Sequence, residues 1–312
     1  MTTIDIPATD HLDRPASGRI GGLLGGLWAH PRGRVGLVIV VALTLLAAIG
    51  PELVPWSYQK LDLAAQRAND NQPLMPFQSA SHLLGTDILS RDMLARVLAA
   101  IRISLLVSVI AQVVIIGVGL PIGAIAGWFG GRLETLLMRA TDVVAAFPQL
   151  VFIIMFTVAF YDTPFERMLD GLLVVMLAIG LLSWVVVARL VRAEVLSLKH
   201  RAFVEGARAV GVLGRTIVTR HLMPNLVGSV VVAISAGIPA AILTESTLSF
   251  LGLGIQPPSP SLGSLIWSGT ETIHRFPQLV VIPALPLVLL LVGFTMLGDG
   301  LRDVLDPRLR AP

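Results

Sequence analysis

From Ile103 to Trp128 the chain runs for 26 residues without one charged side chain. Other largely apolar runs occur at Val35–Gly50, Leu136–Phe160, Leu172–Val191, Leu226–Leu248 and Leu279–Leu297. A helix needs about 20 apolar residues to cross a hydrocarbon layer about 30 Å thick. A spanning segment must also satisfy its backbone polar groups internally, which favours helices for runs of this length. The pattern predicts an all-α polytopic membrane protein with six transmembrane helices. Composition agrees: 54% of the 312 residues are hydrophobic, 14% are charged, and the mean hydropathy is +0.81. A soluble domain is nearer a quarter charged, as a rough average. The absence of cysteine excludes disulfides, thiolate catalysis and Cys-ligated metal.

The sequence pI of 9.9 raises the question of nucleic acid. The basic residues flank the apolar runs, however, so they read as topogenic, with no nucleic-acid partner. With the N-terminus inside, sixteen Lys and Arg fall in inside segments and seven outside. Both termini are therefore expected in the cytoplasm. The chain divides into a cytoplasmic tail (1–34), the first span (35–50), an extracytoplasmic loop with an amphipathic segment (51–102), a core of five spans (103–297) and a cytoplasmic tail (298–312). Gly18, Gly21, Gly22, Gly25 and Gly26 argue against a stable helix in the first tail, which is expected to be mobile. In the alternative, Leu23, Leu24, Leu27 and Trp28 rest at the membrane interface. Small residues follow the first apolar run, but the polar segment before it is too long for a signal peptide, so that run is read as a retained span. Asp92–Ser104 reads as a short amphipathic helix leading into the second span. The loop 252–277, rich in Pro, Ser and Gly, is expected to be irregular.

Within the spans, Gly119, Gly123 and Gly127 recur every four residues and mark a face for close helix approach. Were a polar solute to pass through the spans, Asp142, Pro148 and Glu245 would be the candidates for a translocation path. Ionisable side chains within spans usually face a cavity or a partner. Glu245 would either meet an amino group of such a solute or cap packing against the outer loop, and Asp142 would either line that path or sit at the interface near Arg139. Pro148, Pro239 and Pro283 loosen their helices or only shape packing. There is no GxxxxGK[ST] phosphate loop and no HExxH metal spacing. No catalysis, cofactor or metal is expected on this chain.

The segment between the fourth and fifth spans differs from everything around it. Residues 192–225 carry Lys199, Arg201, Arg208, Arg215 and Arg220 around a small-residue knob, Ala202 to Gly211. A basic loop with a compact apolar centre reads as a docking surface on the inner face of the membrane.

Glu205-Gly206-Ala207, then Gly211, then His221-Leu222-Met223-Pro224 resembles the EAA loop of ABC-importer permeases. Gly206, His221 and Met223 depart from the usual Ala, Ile and Leu, while the spacing and the Glu, Gly and Pro anchors are kept. Leu84 to Asp92 resembles the LGTDxxGRD segment of C-type permeases in dipeptide, oligopeptide and nickel importers, with Ser90 in place of Gly. Glu245 to Gly254 resembles that subgroup's ExxLSFLGLG segment, and Gly298 to Arg308 its GDxLRDxLDPR tail.

This resemblance implies a type I ABC-importer-like transmembrane domain with a cytoplasmic coupling helix, in a bacterial cytoplasmic membrane. It implies a second homologous permease, two ATP-binding subunits that carry ATP and Mg, and an extracytoplasmic substrate-binding protein. Peptide is the expected cargo; nickel chelate is the alternative, and a stand-alone channel or a membrane-embedded enzyme a more distant one. The ATPase-coupling interface would comprise Ala202, Phe203, Glu205, Gly206, Ala207, Arg208, Ala209, Gly211 and Pro224. Gly211 suits the left-handed residue that ends a helix, and Pro224 suits the first turn of the fifth span.

Overall fold

A computed structural model describes residues 25–160, 162–167 and 171–305. Their helices are α1 (Pro31–Leu53), α2 (Leu63–Ala68), α3 (Met93–Phe129), α4 (Gly131–Ala145), α5 (Gln149–Ala159), α6 (Pro164–Arg167), α7 (Leu172–Lys199), α8 (Ala202–Ala209), α9 (Gly214–Thr216), α10 (Met223–Phe250), α11 (Leu262–Thr270) and α12 (Gln278–Leu305). A π-helical turn, Ile217–Leu222, joins α9 to α10 without a break. Among the described residues there is no strand, only isolated bridges between residues 61 and 92.

Five of these helical stretches are long and apolar enough to cross a membrane: α1, α3, α7, Gly214–Phe250 and α12. The third expected span differs. It is two helices, α4 and α5, which meet at 79°. The break falls at Pro148. Proline removes a backbone donor and pushes the preceding residue, here Phe147, away from helical angles. The helices also outrun their apolar runs. At about 1.5 Å per residue, the 37-residue α3 is about 55 Å long, well beyond a hydrocarbon layer of about 30 Å.

Close packing organises the bundle. A Cβ on Gly119, Gly123 or Gly127 would lie 2.7 Å from the Trp184 carbonyl oxygen, 2.4 Å from the Ala188 carbonyl oxygen and 2.8 Å from Val195 Cβ. The glycine face of α3 is therefore the seat of α7, as the spacing predicts. A second such contact was not expected. Residues 25–29 are helical, Leu27 is buried, and a Cβ on Gly26 would strike Val304. Gly33 backs onto Gly300, and Gly36 onto the backbone of Leu297. From residue 25 onward the glycine-rich segment is thus a contact surface against α12 and not a tail. Residues 1–24, with Leu23 and Leu24, lie outside the described residues. The charged tail is corrected likewise: α12 runs to Leu305.

Two more expectations change. Asp92–Ser104 is the first part of α3, with Asp92 as its N-cap, and it is buried nearly all round, Arg96 included, so it is not amphipathic. The loop 252–277 contains α11, whose Leu262 and Leu265 are buried between α10 and α12. Ser261 and Ser264 cap it reciprocally, each accepting from the other's backbone N–H at 3.1 and 2.9 Å.

Candidate functional site

The 28-residue α7 carries the chain past its apolar run to Lys199, so α8 lies at the end of the bundle. Val204 is the one fully buried residue of α8, packed into a cluster with Val191, Val195, Ile217, Leu222 and Leu226. Burying one such side chain contributes about 1.5–3 kcal/mol. The helix ends in a double hydrogen bond: Gly211 N–H donates to the Arg208 carbonyl at 2.9 Å and Val212 N–H to the Ala207 carbonyl at 3.0 Å. This closure needs a left-handed residue, and Gly211 supplies it at φ +79°.

With Val204 inward, helical spacing puts Ala202, Glu205, Gly206 and Ala209 on the outer face, with Phe203 at its flank, 43% exposed. Ala207 is half-buried. Arg208 turns back, its guanidinium 4.7 Å from the centre of the Trp128 ring. The Lys199 ammonium donates to the Trp128 carbonyl oxygen at 2.6 Å. Trp128, at the end of α3, is therefore the anchor of the segment that carries α8; nothing in its sequence setting distinguishes it from an interfacial tryptophan. Pro224 lies about three turns into a continuous helix that starts at Gly214, earlier than expected. A proline there lacks the donor for the ordinary i−4 bond, and the preceding stretch winds as the π turn.

A groove of about 1070 Å³ opens beside α7, bounded by α3, the α4–α5 break, α10 and the end of α12. Of the three path candidates, Pro148 makes the break, and its neighbours Phe147 and Gln149 line the groove. Asp142 is exposed on α4 and pairs with Arg189 at 2.7 Å, not with Arg139. Glu245 stands apart from the groove. It is fully buried and accepts from Ser104 on α3 at 3.1 Å, from Ser249 at 2.7 Å and from Ser246 at 3.3 Å. Just beyond it, Gly252, at φ +75°, ends α10 with the same double closure as Gly211.

At the opposite end of α3 from Trp128, residues 51–92 fold into a hydrogen-bonded knot. His82 is buried, 2.8 Å from Asp92 and 3.2 Å from Asp62, with the Trp56 ring against it. The Asp62 carboxyl is held below the usual carboxylate range, chiefly by the Ala65 backbone N–H, with burial opposing and His82 assisting. Asp87 accepts from the Leu89 and Arg91 backbones, both at 2.9 Å, and pairs with Arg91 and Arg96. Ser90, where the resembling segment has glycine, sits at φ +60°. Among the described residues, no three His, Cys, Asp or Glu converge as a metal site.

Residues 119–311 match the family described as the binding-protein-dependent transport system inner membrane component. The chain belongs to this family of ABC-importer permeases. Residues 26–73 match the N-terminal transmembrane domain of oligopeptide transport permease C. The oligopeptide transport system permease protein OppC of Haemophilus influenzae is 37% identical over 272 residues, 87% of this chain and 83% of that one. Its Escherichia coli K12 counterpart is 38% identical over 280 residues, 89% and 88% of the two chains. The dipeptide transport system permease protein DppC of Bacillus subtilis is 37% identical over 278 residues, 88% and 81%. Among solved structures, an inward-facing MetNI methionine ABC transporter aligns with a TM-score of 0.55 at 18% identity, covering 68% of this chain and 97% of that one. The permease thus has the type I importer transmembrane fold and is a multi-pass membrane protein and a transport subunit.

Proposed function

We propose that this permease carries peptides, paired with a second homologous permease, and that its α8 seats in a groove of an ATP-binding subunit on the cytoplasmic side. An extracytoplasmic binding protein delivers the cargo. The observation that carries this reading is the build of α8. It is fixed to the bundle by Val204 and Trp128, stopped by Gly211, and presents a small-residue face around Glu205. Such a lever is rigidly joined to α7 and to the π turn ahead of α10. Movement of an ATPase under α8 is then passed to the two helices that wall the groove. ATP and Mg belong to the partner subunits. Sixteen of the 23 Lys and Arg, counted by the topology above, support the cytoplasmic placement of the loop and of both termini.

The test is uptake and ATP hydrolysis by the reconstituted complex. Proline cannot adopt φ +79°, so Gly211→Pro unmakes the α8 closure. Insertion should survive, while peptide moved per ATP hydrolysed falls by about tenfold, the consequence of some 1.4 kcal/mol lost from the seated state. Glu205→Ala should uncouple in the same direction. Unchanged coupling in both variants would defeat the assignment of α8.

A further inference from the structure

The polar side chains on the groove wall mostly have partners. Gln149 donates to Ser183 at 3.2 Å, Ser229 donates to Glu194 at 2.9 Å, and Arg189 pairs with Asp142. Gln112 differs. It lies near the midpoint of α3, is 4% exposed, lines the groove, and its amide nitrogen has no acceptor. Gly237 on α10 leaves the space for it: a Cβ there would fall 2.7 Å from both terminal atoms of the amide. The surroundings on α10 are apolar, including Ala240 and Ala241. A buried amide donor without an acceptor is unfavourable and is seldom retained without one. In a membrane span such a group marks a place where a partner arrives.

We propose that Gln112 is a cargo-contacting residue, donating its amide N–H to backbone carbonyl oxygens of a peptide passing along the groove. A peptide offers one such acceptor per residue whatever its side chains, so a single fixed amide meets each in turn without selecting sequence. Rotation about the terminal torsion of Gln112 also presents its oxygen to a peptide N–H. Gly237 is the positioning residue that keeps the amide against α10. This inference rests on the reading of the cargo as peptide.

The test uses the full complex, with its second permease, ATPases and binding protein, in proteoliposomes. The probes are alanine tripeptide and pentapeptide, each also made with one central carbonyl oxygen replaced by sulfur, a weaker acceptor. The native complex should move the oxygen forms faster than the sulfur forms. Gln112→Met, similar in length but without a donor, should slow the oxygen forms about threefold to tenfold and erase most of the oxygen-to-sulfur preference, the range set by one ordinary hydrogen bond. Binding-protein affinity and its stimulation of ATP hydrolysis should not change. Gln112→Asn, which keeps the amide, should retain part of the preference even if it lowers the yield of complex. An oxygen-to-sulfur ratio in Gln112→Met equal to the native ratio overturns the proposal while leaving the peptide reading intact. A native complex that takes up neither peptide overturns both.

Discussion

At the scale of single residues, Ser90 and Gly206 both depart from the segments that this permease resembles, and backbone conformation sets what each departure costs. Ser90 occupies a left-handed turn at φ +60° where the resembling segment has glycine, and its carbonyl accepts from Asp62 N–H at 2.9 Å. A left-handed non-glycine residue costs about 1–2 kcal/mol, and a β-branched one more. Ser90→Val should therefore speed amide exchange across residues 62–92, whereas Ser90→Gly should leave it nearly unchanged, because relieved strain offsets the added freedom of the unfolded chain. Gly206 is the reverse case. A Cβ there meets nothing within 4 Å, so the fold of this chain does not require glycine. Alanine is favoured over glycine in a helix by about 0.8–1 kcal/mol, so Gly206→Ala should slow exchange in Ala202–Ala209 about fourfold. If uptake falls in that same variant, close approach by the ATPase is what the glycine serves.

At the scale of elements, Glu245 ties α3 to the end of α10. Removing it strands three hydroxyl groups in a dry site, each worth about 1 kcal/mol or more. Glu245→Leu should lower the melting temperature of the purified complex, while Glu245→Gln, which keeps an acceptor, should lower it much less. Neither should alter which peptides are taken up, an outcome that separates a structural tie from a cargo contact. The same elements mark the limits of reading the sequence. Spans were legible because a membrane imposes one dominant requirement, apolar length, and the α3–α7 seat was legible because three glycines keep a helical period. The α4–α5 break was not, since a proline inside an apolar run is compatible with a bend, a kink or a full break. The contact of residues 25–36 with α12 was hidden because glycine lowers helix propensity locally and yet permits backbone approach, and only the partner decides which matters. Helix α11 was hidden by its shortness and by a cap built from two serines instead of Ser and Glu. Around α8 the Gly211 stop was readable, while the Trp128 anchor depended on a contact across 71 residues.

At the scale of the molecule, α3 joins two regions at its opposite ends and is long and apolar enough to cross a membrane between them. The knot of residues 51–92 precedes its first turn, and Trp128, which anchors α8, is at its last. Asp62 accepts from the Ala64 and Ala65 backbone N–H groups and lies 3.2 Å from His82, contacts in the knot that favour its charged form. Its folded-state pKa is depressed, so its contribution is present above the ordinary carboxylate value of about 3.9 and is lost as pH falls through the lower folded value. Exchange in the knot, corrected for its intrinsic pH dependence, should accelerate below about pH 4, and Asp62→Asn should already exchange faster at neutral pH with a flatter profile. The charge count predicts that the knot faces outward, and the absence of cysteine makes that prediction simple to check. Phe77, 80% exposed in the knot, and Phe203, on α8, are the two reporters. A membrane-impermeant maleimide added to intact cells should label Phe77→Cys and spare Phe203→Cys; with inverted vesicles the pattern should reverse. A helix about 55 Å long cannot leave both sites on one side while it spans the bilayer, so labelling of both from outside would mean that α3 does not span. Labelling of Phe203→Cys alone from outside would keep the span but invert the chain, placing α8 where no ATPase could reach it.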